Sequence, residues 1–312
     1  VDNDRYEIEF LKNLFYNKSS DLFPNVIPQS GIEKFIQFPL IRLIIILILL
    51  APSPIIFRII RDVFNKIFDA ALSLYLGYLL DVLLIISLVV IYNIYTKTVE
   101  NRKAHELSFN KFSIELGFGA ALAVIAITFF VIVNYLLGYY SIEKFNSFGN
   151  VVFMFFDQLK VGFIEELLFR VILFKLTEEI LGSWSAIAIQ GVLFGFAHSG
   201  NPNASIYTTI ALIIAFSIFF AAGFMMTRRI WFIFGFHWFW NFFQAGIFGI
   251  QNSGHIQPSL ITPNIDGPIW ITGGDWGAEL SVISIVILFS VSLYFVKIVS
   301  QRNQFITASW RR

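Results

Sequence analysis

The sequence predicts an all-α, polytopic membrane helix bundle with about eight transmembrane helices. Two observations carry this. Of the 312 residues, 57% are hydrophobic and only 14% are charged, whereas a soluble domain carries roughly 25% charged residues to cover itself with a solvated face. Eight stretches also approach the roughly 20 consecutive apolar residues that cross a hydrocarbon core. The 37 Phe residues suit a lipid-filled setting. Composition excludes several functions as well. A soluble enzyme is ruled out. The 22 basic and 21 acidic residues leave a net charge of +1, which gives no reason to expect nucleic acid as a partner. Cysteine is absent, so disulfides, thiolate nucleophiles and thiolate metal sites are excluded.

In chain order, the first 35 residues are polar and mixed in charge (Asp2, Asp4, Arg5, Glu7, Glu9, Lys12) and lack the apolar core of a signal peptide. The spans are expected near 36–56, 72–95, 114–138, 150–175, 183–200, 205–226, 230–250 and 279–299. The first is interrupted by Pro52 and Pro54, and the fifth is short. After the first span, Arg58, Arg61, Asn65, Lys66 and Asp69 make a polar stripe beside an apolar one of Phe57, Ile60, Phe64, Ile67 and Phe68. That spacing predicts an amphipathic helix lying in the membrane interface. The competing reading is a cytoplasmic loop behind a re-entrant first span.

An even number of spans puts both termini on one side. That side holds Arg5, Lys12, Lys18 and Lys34, then Lys97, Arg102, Lys103 and Lys111, then Arg228 and Arg229, then Arg302, Arg311 and Arg312. The other side has Lys144 and no basic residue between 251 and 279, although Arg58, Arg61 and Lys66 also fall there and argue against the assignment. Basic residues in short loops mark the cytoplasmic side, so both termini are expected in the cytoplasm and the chain in the cell (inner) membrane. No repeat or linker divides the chain. Residues 1–110 are an N-terminal segment with two spans, 111–300 a membrane core, and 301–312 a tail.

Ionisable groups at mid-membrane are expensive and face a cavity or a partner. The fourth span holds most of them. Glu166 and Arg170, four apart with the acid first, share a helix face in the favoured order and read as a structural ion pair. Glu165, rotated by about 100°, is left free; a lone carboxylate in a dry setting suits a general base. The fifth span carries Gly191 and Gly195 at a spacing that allows close helix contact, and ends near His198. In the seventh, His237 and Asn241 lie four apart on one face. They read either as an interhelical hydrogen bond or as two donors converging on a substrate oxygen. His105 and His255 read as solvated loop residues, Asp157 and Lys160 as a pair, and Asp81 and Arg42 as a pair across helices or as helix ends. Counting residues leaves His198 near one end of its span and His237 only about 10 Å in from the opposite face. Convergence with Glu165 therefore needs a tilted or broken helix, or different span limits.

Taken together, Glu165-Glu166-x-x-x-Arg170, Phe194-x-x-x-His198 and His237-x-x-x-Asn241, in this order on three membrane helices, resemble the CPBP family (CAAX protease and bacteriocin-processing, Abi/Rce1-like) of intramembrane proteases. The resemblance covers roughly 110–295. The stretch Thr272-Gly273-Gly274-Asp275-Trp276-Gly277-Ala278-Glu279 is similar to the turn before the last helix in bacterial members, although Pro is common where Ala278 stands. A turn followed by a helix start with a favourable acid accounts for it equally well. The resemblance implies that Glu165 and His198 activate a water against a peptide carbonyl, that His237 and Asn241 stabilise the oxyanion, and that Glu166 and Arg170 hold the helix and orient Glu165. It implies no cofactor, and a membrane-associated peptide or protein as substrate within the lipid bilayer.

Three other readings compete. The same Glu165, His198 and His237 are a conceivable zinc set, although no HExxH motif is present. A non-catalytic membrane scaffold, immunity factor or assembly subunit would keep the motifs and use loop 251–278, with Trp270 and Trp276, as a surface for a membrane protein partner. A transporter is disfavoured, because no repeated pair of broken helices is visible.

Overall fold

The computed structural model describes residues 22–24 and 30–308. Most of the polar N-terminal segment, and Arg5, Lys12, Lys18, Arg311 and Arg312 used above for orientation, lie outside them. All eight expected spans are helical. A capping box of Ser30 and Glu33 opens α1 (Gly31–Gln37). Helices α2 (Pro39–Leu50) and α3 (Pro52–Ile67) each start on a proline, where the missing N–H costs nothing. The Asp69 side chain caps α4 (Ala70–Thr98) by accepting from Ala71 and Leu72 N–H. Then come α5 (Phe112–Leu136) and α6 (Phe148–Glu166). From α6 the helix runs on through a π-helical segment, Leu167–Phe174, into α7 (Lys175–Leu181). After Gly182 follow α8 (Ser183–Ala197) and α9 (Ile206–Ala211), the latter continuing as π-helix Leu212–Ser217 and α10 (Ile218–Thr227). Next are α11 (Trp231–Asn241) with its π-helical extension Phe242–Ile247, a short α12 (Ile269–Thr272) and α13 (Val282–Gln301).

Five helical stretches are long and apolar enough to cross a membrane: Pro39–Ile67, Ala70–Thr98, Phe112–Leu136, Ile206–Thr227 and Val282–Gln301. The other three expected spans fall short of that standard for identifiable reasons. Residues 148–181 carry the site's charges, Ser183–Ala197 has 15 residues, and α11 with its extension is also short. The amphipathic segment is α3. It continues from α2 after one residue, Ala51, and packs on α4, where Arg61 donates to Gly77 O (2.9 Å) and Asp81 (2.5 Å). Asp81 therefore does not pair with Arg42. The α3–α4 hairpin delivers Arg61 to it, and Lys160 stands 3.4 Å away. Arg42 lies level with the far end of α4, where it pairs with Glu100 (3.1 Å) and Glu179.

Two strands were not expected. β1 (Tyr140–Phe145) pairs antiparallel with β2 (Ile261–Ile265), Tyr140 opposite Ile265 and Phe145 opposite Ile261. The pair ties the start of α6 to the long loop 251–278.

The most extensive helix contact is between α5 and α11, and two glycines permit it. A Cβ on Gly119 would lie 2.0 Å from Phe232 O, and one on Gly235 would lie 2.4 Å from Leu116 O. Backbone carbonyls cannot step aside, so a methyl group would drive the helices apart. Gly235→Ala should therefore cost about 1–3 kcal/mol of stability, read as a lowered melting temperature in detergent. An unchanged melting temperature would show that the contact is looser than this packing requires.

The turn between α10 and α11 is not an exposed basic loop. Arg228 and Arg229 do not project into cytoplasmic water; both are buried. Arg228 binds Glu178 (2.5 Å) and the Gln304 carbonyl (2.8 Å), and Arg229 binds Glu115. Charges this deep need partners, and each Arg has a carboxylate. A second buried network lies under the α4–α5 loop. Lys175 and Arg102 contact Glu100 and Glu106. Burial pushes the Glu106 carboxyl up, but the two cations hold it down at about 2.

Candidate active site

Glu165 and Glu166 stand at the end of α6, where the helix widens into its π-helical segment. Such widened turns recur at functional sites. Here they occur on three of the four helical runs that wall the cavity, after Glu166, after Ala211 and after Asn241; the fourth, α8, has none. Gln158, Val161, Glu165 and Phe169, at helical spacing, present one face to a cavity of about 350 Å³. His198, Asn201, His237, Asn241, Asn252, Ser253, His255 and Glu279 complete much of its lining.

Glu165 Oε2 lies 3.7 Å from His237 Nε2 and 3.9 Å from His198 Nε2, and Glu165 remains a quarter exposed. Each imidazole is oriented through its other nitrogen. His237 Nδ1 is 2.7 Å from Glu166 Oε1, an acceptor, so this nitrogen carries the proton. His198 Nδ1 is 2.8 Å from Phe194 O, and the same reasoning applies. Arg170 donates to the same Glu166 oxygen at 3.1 Å. Its guanidinium lies 4.4 Å and 4.5 Å from the ring centroids of Phe194 and Phe220, within cation–π range. Phe194 thus contributes its ring to Arg170 and its carbonyl to His198. Asn241 lines the cavity and is 7% exposed.

The structure brings Glu165, His198, His237 and Asn241 to one cavity. It also gives Glu166 a contact that residue spacing did not show, because Glu166 orients His237 as well as pairing with Arg170. The depth mismatch has two causes. Helices α6–α7 and α8 run antiparallel about Gly182, with Glu165 and His198 at nearly equal distances in sequence from it. The turn 228–230 is itself buried, which starts α11 well inside the protein and carries His237 to the level of Glu166. Gly191 and Gly195 make the close contacts their spacing suggested, against Ser217 and against Ile213 and Thr209 O.

Asp157 and Lys160 pair at 2.9 Å, and His255 is exposed yet lines the cavity. Trp276 is buried at 2%, whereas Trp270 is 63% exposed, so only Trp270 of that pair faces outward. Among the lining residues that sequence reasoning missed, Gln158 had a readable signal, seven residues and two turns before Glu165. Asn252 and Ser253 sit in an irregular loop with no such periodicity. Among the described residues, no group of three or more His, Asp or Glu side chains is gathered closely enough to hold a metal ion.

The helices and the buried polar cavity define the class: a polytopic membrane protein with paired carboxylates and imidazoles enclosed among its helices. The family model described as Type II CAAX prenyl endopeptidase Rce1-like matches residues 147–243, which include all seven motif residues named above. Over this third of the chain the sequence is similar to the Rce1-like family, which at the family level is one of intramembrane endopeptidases. No curated protein and no solved structure matches the chain.

Proposed function

We propose that the chain is a glutamate-type intramembrane endopeptidase that hydrolyses a peptide bond of a membrane-associated peptide or protein without a metal. The observation that carries this reading is the position of Glu165. Its carboxylate has no hydrogen bond among the described residues and faces Nε2 of two imidazoles at 3.7 and 3.9 Å. That gap suits a water held between acid and base.

The two imidazoles take different roles because their partners differ. His198 donates through Nδ1 to a neutral carbonyl, which leaves Nε2 as an acceptor. It helps Glu165 orient the water, and Glu165 removes the proton as the water oxygen bonds to the scissile carbonyl carbon. His237 is held through Nδ1 by the Glu166 carboxylate, which aims Nε2 into the cavity; there its N–H and the Asn241 amide donate to the developing oxyanion. Glu165 then returns the proton to the amide nitrogen as the C–N bond breaks, which releases an amine and a carboxylic acid that ionises by giving its remaining proton to water.

The test is purified protein in a bilayer with membrane-inserted peptides in ¹⁸O-water. Cleavage should place ¹⁸O in the new carboxylate and should survive exhaustive chelation at an unchanged rate. Loss of cleavage on chelation, restored by zinc, would replace this reading with the metal one. The scaffold reading rests on the exposed Trp270; it predicts no labelled product and no effect of Glu165→Gln on whatever the protein supports.

A further inference from the structure

We infer that Glu279 is a positioning residue that locks the loop carrying His198, the loop at 251–255 and the helix carrying Asn241 into one assembly. Helix α13 begins at Val282, so Glu279 belongs to the turn before the last span. Its side chain points inward and is 3% exposed. Oε1 accepts from Ser253 N at 3.2 Å and from Ser253 Oγ at 3.4 Å. Oε2 accepts from Gln244 Nε2 at 2.8 Å.

Both contacts lead back to the site. Gln244 lies three residues after Asn241 on the π-helical extension of α11, and its Nε2 also donates to Gln251 O at 2.6 Å. The Ser253 carbonyl accepts from Asn201 Nδ2 at 3.0 Å, and Asn201 N donates to His198 O at 3.1 Å. One carboxylate therefore joins the segment after His198 to the segment after Asn241.

The glycines of this stretch serve the same junction. Gly277 has φ +117°, and a Cβ there would meet Gln251 O at 2.0 Å, and Gln244 Nε2 and Glu279 Oε2 both at 2.7 Å. Gly254 has φ +83°, and a Cβ would meet Pro202 O at 1.8 Å. The Gly-rich turn is built to bring backbone against this carboxylate, which helix-start electrostatics would not require.

Burial pushes the Glu279 carboxyl up to about 7, which gives the lock a pH signature. Opening the junction would return the group to an ordinary carboxylate range, so protonation favours the closed form. Closure is then strongest below that range and weakens as pH rises to about 7, beyond which it is level. The other titratable groups lining this cavity are Glu165 from α6, His198 from the end of α8, His237 from α11 and His255 from the loop. Asp275 lies nearby, 3.5 Å from Gln251 Nε2. The glutamine variant separates Glu279 from them.

That His198 and Asn241 are catalytic rests on the peptidase reading; the junction itself does not, and the test does not read activity. Hydrogen exchange is measured on the full chain in a bilayer from pH 4.5 to 8.5, corrected for intrinsic exchange rates, for segments 198–204 and 251–255. The native chain should lose protection in both segments, by up to about a hundredfold between pH 4.5 and 7, and Glu279→Gln should remove that dependence. A native profile that is flat, or one whose slope survives in Glu279→Gln, overturns the inference. The native profile alone decides the matter if the variant does not fold. A peptidase assay on the same samples reads separately. Absent cleavage by the native chain counts against the peptidase reading and leaves the exchange result standing.

Discussion

Replacing Glu165 by glutamine should lower peptide-bond hydrolysis by about 10²–10⁴-fold, the usual contribution of a positioned general base, while leaving the fold intact. The side chain is partly exposed and its nearest ion-pair contacts are the two imidazoles at 3.7 and 3.9 Å, so glutamine leaves no buried ion unpaired. Glu165→Asp should be nearly as damaging. Shortening the side chain by one methylene withdraws the carboxylate from water and imidazoles together, and misplacement on the order of 1 Å costs about 10²-fold. A purified preparation with matched melting temperatures would check both. Equal rates for native and glutamine forms would remove Glu165 from the chemistry.

Arg170→Met should act on folding instead. Arg170 and Glu166 are both fully buried, and they share an oxygen with His237 Nδ1. Removing the cation leaves a carboxylate in a dry interior with only an imidazole beside it. Breaking such a pair from one side costs about 3–5 kcal/mol, whereas removing both partners is often neutral. The double variant Glu166→Leu/Arg170→Met should therefore regain much of the stability lost in Arg170→Met, yet remain inactive, because His237 loses the group that orients it. Thermal melting and activity on the three proteins would separate these effects. A double variant less stable than Arg170→Met would show that the pair is a net stabiliser in its own right.

Much of the candidate site was legible because helical spacing is a strict ruler. Four-residue intervals put Glu166 on Arg170 and brought His237 and Asn241 to one wall, and the adjacent Glu165 had to face elsewhere. What spacing could not show was how deep each helix begins. The Arg228–Arg229 turn reads as a basic loop, yet Glu178 and Glu115, far away in sequence, neutralise it inside the protein. The Glu166–His237 bond crosses 71 residues and leaves no local trace. The strands β1 and β2 pair segments separated by more than a hundred residues, with no turn between them to reveal the pairing. Glu279 looked like a favourable acid at a helix start because the first turn alone explains such a residue. Its partners Gln244 and Ser253 become visible only once the loop is folded over it.

Hydrolysis by a water that Glu165 activates leaves cut peptides in the membrane. The most direct measurement compares the peptide populations of membranes holding the native chain and its Glu165→Gln form at matched abundance. Peptides cut at a defined bond in a membrane-associated protein should be present only with the native chain. Identical populations, with the variant still supporting whatever the native chain supports, would contradict it.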